Sequence, residues 1–576
     1  MFLPPSWNPE LPFDPPDSIT IEDFVHSNKH GRRSKKDSRN PFTCGLTGKS
    51  FSSAEVDDRV SLLARIIAKK LDLKPNEGLP LDKIIAIHSV NTIDYMPLIH
   101  AVHRISGVIT PASAVYTVSE LQHQLEITKS KAIFTCAPLL NVAEKAAELC
   151  GIPRSKIFIL DVPGFESPAG YETVEQLITE GKSLPELDAL RWVKGQGIRQ
   201  TAFISLSSGT SGLPKACMIS HYNVIANILA TATLEKTARL SFGFETQVTL
   251  GLLPLSHIYG LVTIAYCAEY QGDEVIVLNK FEINILLSAI QRFKIRRLFV
   301  VPPIIIQLLR NYDISKKYDL SSVRNLHTGA APLGSETAER VLKLWPHWHL
   351  GQGYGMTETA TLVCTTSEHD ILIGSSGSLT PGTRAKLIGF DGQEITEYGK
   401  PGELLVQSPS IIPGYLDNER ANQETFIWDQ DGRWIKTGDE VLVRKSAAGY
   451  EHLFIVDRIK ELIKTKGFQV APAELETHLL SHPLVDDCAV IPIPNEMAGE
   501  VPKAFVVLSA DGKTQDKEKV VGDISRFVEN SMASYKWLRG GVECVDIIPK
   551  SPSGKILRRI LKDKERGERR AHGSKL

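Results

Sequence analysis

The chain of 576 residues lacks an excess of either charge, since its formal net charge is −1 at pH 7. A protein that binds nucleic acid needs a cationic surface to neutralise phosphates. The balanced composition therefore argues against a nucleic-acid partner. Any anionic ligand must instead be held by a few local groups.

Paired cysteines are also lacking. The eight cysteines are scattered along the chain, with no C-x-x-C pair and no histidine at metal-ligand spacing. This pattern argues against a cysteine-rich metal site and is typical of a reducing compartment.

Long apolar runs and a secretion signal are missing as well. The longest apolar stretches, Ile258 to Ala268 and Leu298 to Ile306, fall short of the roughly 20 residues that a membrane span needs. Residues 1–17 are rich in proline and acidic residues and lack the basic and apolar parts of a signal peptide. We therefore expect neither a membrane span nor secretion.

The last three residues, Ser574-Lys575-Leu576, match a peroxisomal address that a soluble import receptor reads. They follow a polar segment, 564–573, that would leave them exposed. We expect a peroxisomal location with the import receptor as partner, and a cytoplasmic one otherwise.

The sequence does contain strong periodic patterns. Ser52 and Glu55 have capping-box spacing, and apolar residues from Val56 to Leu71 follow at helical intervals. Short apolar runs such as Ile84 to Ile87 then alternate with helical segments, which predicts an α/β lobe with substantially parallel sheets. From Gly402 the pattern changes to short strand-like pieces, which predicts a β-rich subdomain.

A chain of this length is too long for one ordinary core. A charged stretch at 457–460 precedes a segment with mixed helix and strand patterns. We predict a large domain over residues 1–456 and a small α+β domain over 457–576, which includes the targeting tail.

Residues 205–215 combine hydroxyls and glycines and end in a lysine. Glycines let backbone N–H groups converge on an anion, and the lysine adds a positive charge. The spacing G-x-x-x-x-G-K-[ST] of the usual P-loop is absent. A flexible linker is the alternative, but apolar runs flank the segment. The predicted phosphate loop comprises Ser207, Ser208, Gly209, Thr210, Ser211, Gly212 and Lys215.

Two further strings, Gly329-Ala330-Ala331-Pro332-Leu333-Gly334 and Gly351-Gln352-Gly353-Tyr354-Gly355-Met356-Thr357-Glu358, lie downstream in the same order as in a known family. Over residues 45–560 the sequence resembles the adenylate-forming enzymes, and among them the 4-coumarate CoA ligase-like acyl- and aryl-CoA synthetases. The resemblance implies an ATP-dependent acid–thiol ligase that forms an acyl-adenylate and transfers the acyl group to coenzyme A, with Mg²⁺ as metal.

The resemblance also implies roles for individual residues. Adenine is expected against Gly329, Ala330, Ala331, Pro332, Gln352, Gly353, Tyr354 and Gly355. The α-phosphate is expected at Thr357, Mg²⁺ at Glu358, and the ribose at Asp439 and Arg458. Lys555, on a small domain that the resemblance implies to be mobile, is expected to serve adenylation. His257 is expected to position the acid or to gate the path of the thiol. Lys464, Lys466, Gly467 and Gln469 are expected to serve thioester formation. The acyl pocket is expected to include Tyr259, Thr263, His327, Thr361 and Leu362.

Several alternatives remain open. Alone, Lys555 could be a solvated surface lysine, and His257 could be a buried core residue. A luciferase-like oxygenase or an enzyme that loads a separate carrier protein would share these motifs. Thr361-Leu362 replaces the Pro-Val pair of coumarate ligases, so an arylalkanoate or aliphatic acid is as plausible as a hydroxycinnamate.

Overall fold

The computed structural model describes residues 1–207, 214–465, 468–495, 497–551 and 554–573, with side chains up to residue 568. The described strands form four sheets. In chain order the strands are β1 (Phe42–Cys44), β2 (Ser50–Phe51), β3 (Ile84–His88), β4 (Val108–Ala112), β5 (Ala132–Thr135), β6 (Ile157–Ile159), β7 (Glu172–Thr173), β8 (Thr201–Ser207), β9 (Lys215–Ser220), β10 (Val248–Gly251), β11 (Glu274–Val277), β12 (Arg297–Val300), β13 (Asn325–Thr328), β14 (His349–Met356), β15 (Thr361–Thr365), β16 (Ser378–Leu379), β17 (Arg384–Ile388), β18 (Glu394–Ile395), β19 (Gly402–Gln407), β20 (Gly414–Tyr415), β21 (Phe426–Asp429), β22 (Gly432–Lys445), β23 (Glu451–Arg458), β24 (Ile463–Thr465), β25 (Phe468–Val470), β26 (Val485–Asn495), β27 (Gly499–Leu508) and β28 (Val542–Cys544).

Helices cover these sheets and connect their strands. They are α1 (Ile21–His26), α2 (Ser53–Leu71), α3 (Tyr95–Arg104), α4 (Val118–Thr128), α5 (Leu140–Leu149), α6 (Val174–Gly181), α7 (Gln196–Arg199), α8 (His221–Ser241), α9 (Cys267–Gln271), α10 (Ile283–Phe293), α11 (Pro302–Arg310), α12 (Tyr312–Ser315), α13 (Ser335–Leu344), α14 (Glu419–Thr425), α15 (Pro472–Leu480), α16 (Ala510–Lys513), α17 (Lys517–Ser531) and α18 (Arg558–Gly573). Among the described helices, none combines the length and the apolar character that a membrane crossing requires.

Helix α2 shows how local sequence sets an element. Ser52 accepts a hydrogen bond from the Glu55 backbone N–H (3.3 Å), and the Ser52 backbone N–H donates to the Glu55 carboxylate (2.7 Å). This reciprocal cap satisfies two N–H groups that the first helical turn cannot pair. The predicted helix is confirmed, and its apolar stripe, from Val56 to Ile67, is buried.

Two large sheets build the first lobe. Their strand orders are β20-β9-β8-β4-β3-β5-β6-β7 and β16-β15-β14-β13-β12-β10-β11-β1-β2. Pairs such as β3–β4, β10–β11, β12–β13 and β13–β14 are parallel, which confirms the predicted α/β lobe. Parallel strands present their carboxyl ends at one edge of a sheet, where ligands bind. The loops that follow β12, β13 and β14 therefore meet at one edge.

The segment from β17 to β23 forms the predicted β-rich subdomain. Its antiparallel order is β18-β17-β19-β22-β21, with β23 also paired to β22. A separate apolar core, with Leu387, Leu404 and Val443 among its members, holds this sheet together.

The C-terminal part has its own sheet, in the order β25-β24-β27-β26 with β28 beside β27. Helices α15 and α17 pack on it around Leu475, Val506 and Ile524, which confirms the small α+β domain. Strand β23 continues to Arg458, which pairs with Asp439, and the next strand starts at Ile463. The division at residue 457 stays a prediction.

The small domain contacts the first lobe at close range. The Arg310 guanidinium lies 2.8 Å from the Asp486 carboxylate. A Cβ atom on Gly334 would lie 2.2 Å from Cγ2 of Thr477 on α15. A side chain at position 334 would therefore clash with the small domain.

Asn91 connects the two large sheets. Its side-chain amide donates to the Leu253 carbonyl (2.9 Å), and its side-chain oxygen accepts from the Leu255 N–H (2.8 Å). The residue is buried. Asn91 thereby fixes the segment that leads to His257.

Replacing Asn91 with alanine should lower the free energy of unfolding by about 2 kcal/mol, because two buried backbone groups lose their partner. Urea denaturation followed by circular dichroism measures this change. Asn40→Ala, at an exposed position, is the matched control and should change stability by less than about 0.5 kcal/mol. Equal stabilities for the two variants would contradict the role given to Asn91.

Candidate functional site

The ends of the predicted phosphate loop lie on a hairpin. Strands β8 and β9 are antiparallel, and Ser207 pairs with Lys215. The Lys215 ammonium lies 4.7 Å from the centre of the Tyr415 ring. The remaining predicted loop residues lie outside the described part of the chain: Ser208, Gly209, Thr210, Ser211 and Gly212.

Glu358 lies directly after β14, in a 3₁₀ turn over Thr357–Thr359. Its carboxylate is buried and accepts a hydrogen bond of 3.0 Å from the Tyr415 hydroxyl. Thr357 is half-buried beside it. A carboxylate held in place in this way is a suitable oxygen ligand for Mg²⁺.

Asp439 lies on β22. The Tyr354 hydroxyl donates to the Asp439 carboxylate at 2.5 Å, and the Arg458 guanidinium lies 3.6 Å from its other oxygen. Burial raises the pKa of Asp439 above its usual value, although Arg458 and Tyr354 act in the opposite direction. The two carboxylate oxygens are thus held in a place largely shielded from water, and together they offer acceptors for both hydroxyls of a diol.

Lys555 reaches the site from the small domain. A turn closed by the pairing of Lys550 with Ile556 carries it. Gly554 has a φ of +83°, and a Cβ atom on it would lie 3.2 Å from Val301. The glycine permits both the left-handed conformation and the close approach to the first lobe.

The ammonium of Lys555 is surrounded by charged groups. Burial, together with Arg458, lowers the pKa of Lys555 to about 8, whereas Glu461, Asp439 and Glu358 raise it. Lys555 therefore lies near the groups that the resemblance assigned to ribose and metal. This brings the predicted adenylation lysine and the predicted nucleotide residues into one site.

His257 also belongs to this cluster. Burial and the neighbouring charge of Lys555 lower the pKa of His257 to about 4, so the imidazole is neutral at physiological pH. Its Nδ1 accepts a hydrogen bond from the Tyr259 N–H at 3.3 Å. The proton of the neutral ring consequently sits on Nε2, which can donate to a ligand.

Residues 259–266 form a π-helix, a rare element that often marks functional sites. It carries Tyr259 and Thr263. The Tyr259 hydroxyl lies 3.1 Å from Nδ1 of His327, and Nε2 of His327 lies 2.8 Å from the Thr365 hydroxyl. Burial lowers the pKa of His327 to about 4, so this chain of hydrogen bonds is uncharged.

Glycines bring the neighbouring backbone close to this pocket. A Cβ atom on Gly353 would lie 2.9 Å from His327 and 3.1 Å from Leu362. A Cβ atom on Gly355 would lie 1.7 Å from the Thr361 carbonyl oxygen. Thr361 itself has a φ of +118°, a strained conformation for a β-branched residue.

The predicted adenine segment follows β13. Ala330 has a left-handed φ of +67°, and Ala330 and Pro332 are exposed while Ala331 is half-buried. Gln352 holds this segment, because its side-chain oxygen accepts from the Leu333 N–H at 3.1 Å. A Cβ atom on Gly329 would lie 3.3 Å from the Gly353 carbonyl oxygen.

The predicted thioester-forming residues lie elsewhere on the small domain. Lys464 and Gln469 pair across β24 and β25, and both are exposed. The Lys464 backbone N–H donates to Glu500 at 2.8 Å. Lys466 and Gly467 lie outside the described residues.

Three positioning residues were missed by sequence reasoning. Tyr415 holds Glu358, Thr365 holds His327, and the Asn227 side chain donates to the Leu362 carbonyl at 2.9 Å. Thr365 and Asn227 lie in apolar or helical stretches without a motif of their own. For Tyr415 the available signal was the turn-forming pair Pro413-Gly414 directly before it.

The charges around Lys555 predict its titration. The ammonium should lose its proton near pH 8, so competitive labelling of amines should show Lys555 becoming reactive above that pH. Arg458→Met removes a neighbouring positive charge and should raise the apparent pKa. Arg420→Met, at an exposed position, should leave it unchanged. An unshifted pKa in Arg458→Met would contradict the arrangement.

Comparison with known proteins identifies the same family that the motifs indicate. The chain matches the AMP-binding enzyme family over residues 32–416 and the AMP-binding enzyme C-terminal domain over residues 474–555. Acyl-CoA ligase easD of Emericella nidulans is 39% identical over 98% of this chain and 99% of its own. Acyl-CoA ligase AKT1 of Alternaria alternata is 39% identical over 98% of this chain and 97% of its own.

Solved structures share the fold. The anthranilate CoA ligase AuaEII in complex with anthranoyl-AMP has a TM-score of 0.79 at 21% identity, over 95% of this chain and 98% of that one. ATP-bound MatB from Rhodopseudomonas palustris has a TM-score of 0.76 at 22% identity, over 95% and 99%. The resemblance seen in the motifs is confirmed, and the chain belongs to the AMP-binding enzyme family.

Proposed function

We propose that this protein is an ATP-dependent acyl-CoA ligase. It activates a carboxylic acid as the acyl-adenylate, releases pyrophosphate, and transfers the acyl group to coenzyme A. The observation that carries this proposal is the position of Lys555, which extends from the small domain to within the electrostatic range of Asp439, Glu358 and His257. Full-length relatives named acyl-CoA ligases support the same activity.

The first half-reaction brings two anions together, the acid and the α-phosphate. Lys555 neutralises negative charge at the attacked phosphate and at the incoming carboxylate, in a place shielded from water where a charge acts strongly. Lys215 and the phosphate loop bind the leaving pyrophosphate. Asp439 accepts hydrogen bonds from the ribose hydroxyls, and Tyr354 lies against the base.

Glu358 is the residue proposed to hold Mg²⁺. Its buried carboxylate is fixed by the Tyr415 hydroxyl, which suits a hard cation with oxygen ligands. The ion, when bound there, would offset negative charge on the phosphate oxygens.

His257 contributes as a neutral hydrogen-bond donor. Because its Nδ1 is occupied by the Tyr259 N–H, its Nε2–H is available to orient the carboxylate of the acid. A protonated imidazole beside Lys555 would carry a second positive charge, which the low pKa of His257 prevents.

Lys555→Ala should lower the rate of adenylation by about 10²- to 10³-fold, because it removes a preorganised charge. Pyrophosphate exchange with ATP measures this step. Conversion of a supplied acyl-adenylate to the thioester should change much less. Lys550→Ala is the matched control, since Lys550 lies in the same turn but pairs with Asp487 at 2.7 Å. Adenylation at full rate in Lys555→Ala would contradict the role proposed for Lys555.

A panel of carboxylic acids, assayed with and without coenzyme A, tests the overall function. A ligase forms thioester only when coenzyme A is present. Light emission with luciferin and oxygen would favour the luciferase-like alternative. Acylation of a carrier protein in place of coenzyme A would favour carrier loading.

Thioester formation is proposed to need a rotation of the small domain. In this arrangement Lys555 occupies the site, while Lys464 and Gln469 are exposed on the small domain. The adenylation lysine and the thioester-forming residues therefore cannot act in the site at the same time. Rotation about the connection at 457–460 would withdraw Lys555 and bring the Lys464 side, with Lys466 and Gly467, toward the acyl-adenylate.

Lys460→Pro tests this hinge, because proline fixes φ and limits the rotation. Adenylation should persist, while the thioester step, measured in single turnovers, should slow markedly. Lys460→Ala serves as the control and should be near normal in both steps. Two normal half-reactions in Lys460→Pro would show that this connection is not the hinge.

The acid and the location are also proposals. Because Thr361-Leu362 replaces the Pro-Val pair of coumarate ligases, an arylalkanoate or a medium to long aliphatic acid is as consistent with this pocket as a hydroxycinnamate. Ser574-Lys575-Leu576 lies outside the described residues, and the peroxisomal location with its import receptor rests on the sequence alone.

A further inference from the structure

A nearly buried arginine, Arg558, lies three residues after Lys555 at the start of α18. Its side chain is 12% exposed, and each of its three guanidinium nitrogens has a partner. One terminal nitrogen lies 2.6 Å from the Glu461 carboxylate, the other lies 2.6 Å from Glu476, and Nε donates to the Val490 carbonyl at 3.2 Å. The proposed reaction does not use this cation directly.

The partners of Arg558 belong to different elements of the chain. Glu461 lies in the turn that follows β23, where its backbone N–H donates to the Arg458 carbonyl at 2.8 Å. Glu476 lies on α15, and its other carboxylate oxygen accepts from the Val490 N–H of β26 at 2.8 Å. Arg558 therefore joins the start of α18 to the domain junction, to α15 and to β26.

A second ion pair holds the turn that carries Lys555, but it is more exposed. The Lys550 ammonium lies 2.7 Å from Asp487, and these side chains are 20% and 29% exposed. Ion pairs that water reaches contribute little, because they are screened and cost side-chain entropy. The forked contacts of a guanidinium with carboxylates shielded from water fix a geometry more strongly. The position of the turn therefore depends more on Arg558 than on Lys550.

Apolar packing also keeps this turn on the small domain. Ile548 and Leu561, on either side of the turn, are buried in a cluster with Phe505. Such packing is non-directional, whereas the hydrogen bonds of a planar guanidinium define an orientation. The direction in which Lys555 projects toward the first lobe is therefore set by Arg558.

The same contacts place a negative charge near the lysine. Burial and Arg458 lower the pKa of Lys555, whereas Glu461 raises it. The Glu461 carboxylate lies 3.7 Å from the Arg458 guanidinium, and its ion pair with Arg558 holds it there. Arg558 thus fixes both the lysine and one of the carboxylates that favour its charged form.

We propose that Arg558 is a positioning residue for Lys555 in adenylation. Through Glu461 and Glu476 it fixes the turn on the small domain, so that the Lys555 ammonium reaches the attacked phosphate in the correct geometry. The proposal rests on the ligase function proposed above. Arg558 acts through Lys555 and makes no contact with the substrates itself.

Arg558→Lys and Arg558→Ala test this role. Lysine keeps the charge but lacks the fork that reaches two carboxylates, and alanine removes the whole group. Adenylation, measured by pyrophosphate exchange with ATP, should slow about tenfold in Arg558→Lys and more in Arg558→Ala, because a small displacement of a catalytic group is costly. The loss should lie in kcat, with KM for ATP little changed. Conversion of a supplied acyl-adenylate to the thioester should stay near the parent rate.

Lys503→Met is the matched control. Lys503 is 13% exposed, lies in the same domain and also bridges two carboxylates, Glu543 at 2.8 Å and Glu565 of α18 at 2.5 Å. Glu565 lies seven residues beyond Arg558, about two helical turns further from Lys555. This variant should lose stability but adenylate near the parent rate. Thermal unfolding of each variant checks that the small domain is folded, and Arg558→Lys carries the test if Arg558→Ala does not fold.

Two further measurements separate positioning from stability. In Arg558→Ala the apparent pKa of Lys555, measured by competitive labelling, should rise, because a nearby positive charge is lost and water reaches the ammonium. Guanidinium chloride at a concentration too low to unfold the protein should restore part of the adenylation rate in Arg558→Ala, whereas sodium chloride at equal ionic strength should not. Neither effect is expected in Lys503→Met.

The outcomes distinguish this proposal from the ligase function. Full adenylation rates in folded Arg558→Lys and Arg558→Ala would overturn the positioning role and leave the ligase function intact. A loss no greater than that of Lys503→Met, or an equal loss in the thioester step, would assign Arg558 to stability alone and overturn the proposal. Absence of pyrophosphate exchange in the parent enzyme with every acid would count against the ligase function itself.

Discussion

The site depends on bringing one ammonium group out of water at the junction of two folded units. Lys555 is half-buried against the first lobe, and its lowered pKa records the loss of solvation. The carboxylates of Asp439 and Glu358 offset part of that loss, while Arg458 adds to it. Such a partly compensated charge is suited to receive further negative charge, which phosphate and carboxylate oxygens supply.

Much of the fold could be predicted because its signals are local. The capping box at Ser52 and Glu55 and the apolar run Ile84 to Ile87 follow from spacing and residue type alone. The division into an α/β lobe, a β-rich part and a small α+β domain followed from the same patterns. Strand order did not, because it depends on pairings between distant segments.

The candidate site was only partly predictable. Residues in glycine-rich or charged motifs, such as Glu358 and Lys555, were identified through the resemblance, and the structure brings them together. The residues that hold them were not identified. Tyr415 and Asn227 act through single hydrogen bonds across the fold, and the π-helix at 259–266 has an apolar sequence typical of an ordinary buried helix.

The contact between Gly334 and Thr477 has a mechanical consequence. Gly334 ends the segment expected against adenine. Because it has no side chain, Thr477 of α15 can pack directly against its backbone. In this arrangement the small domain lies directly against the segment expected to bind adenine, so a rotation of the small domain would have to break this contact.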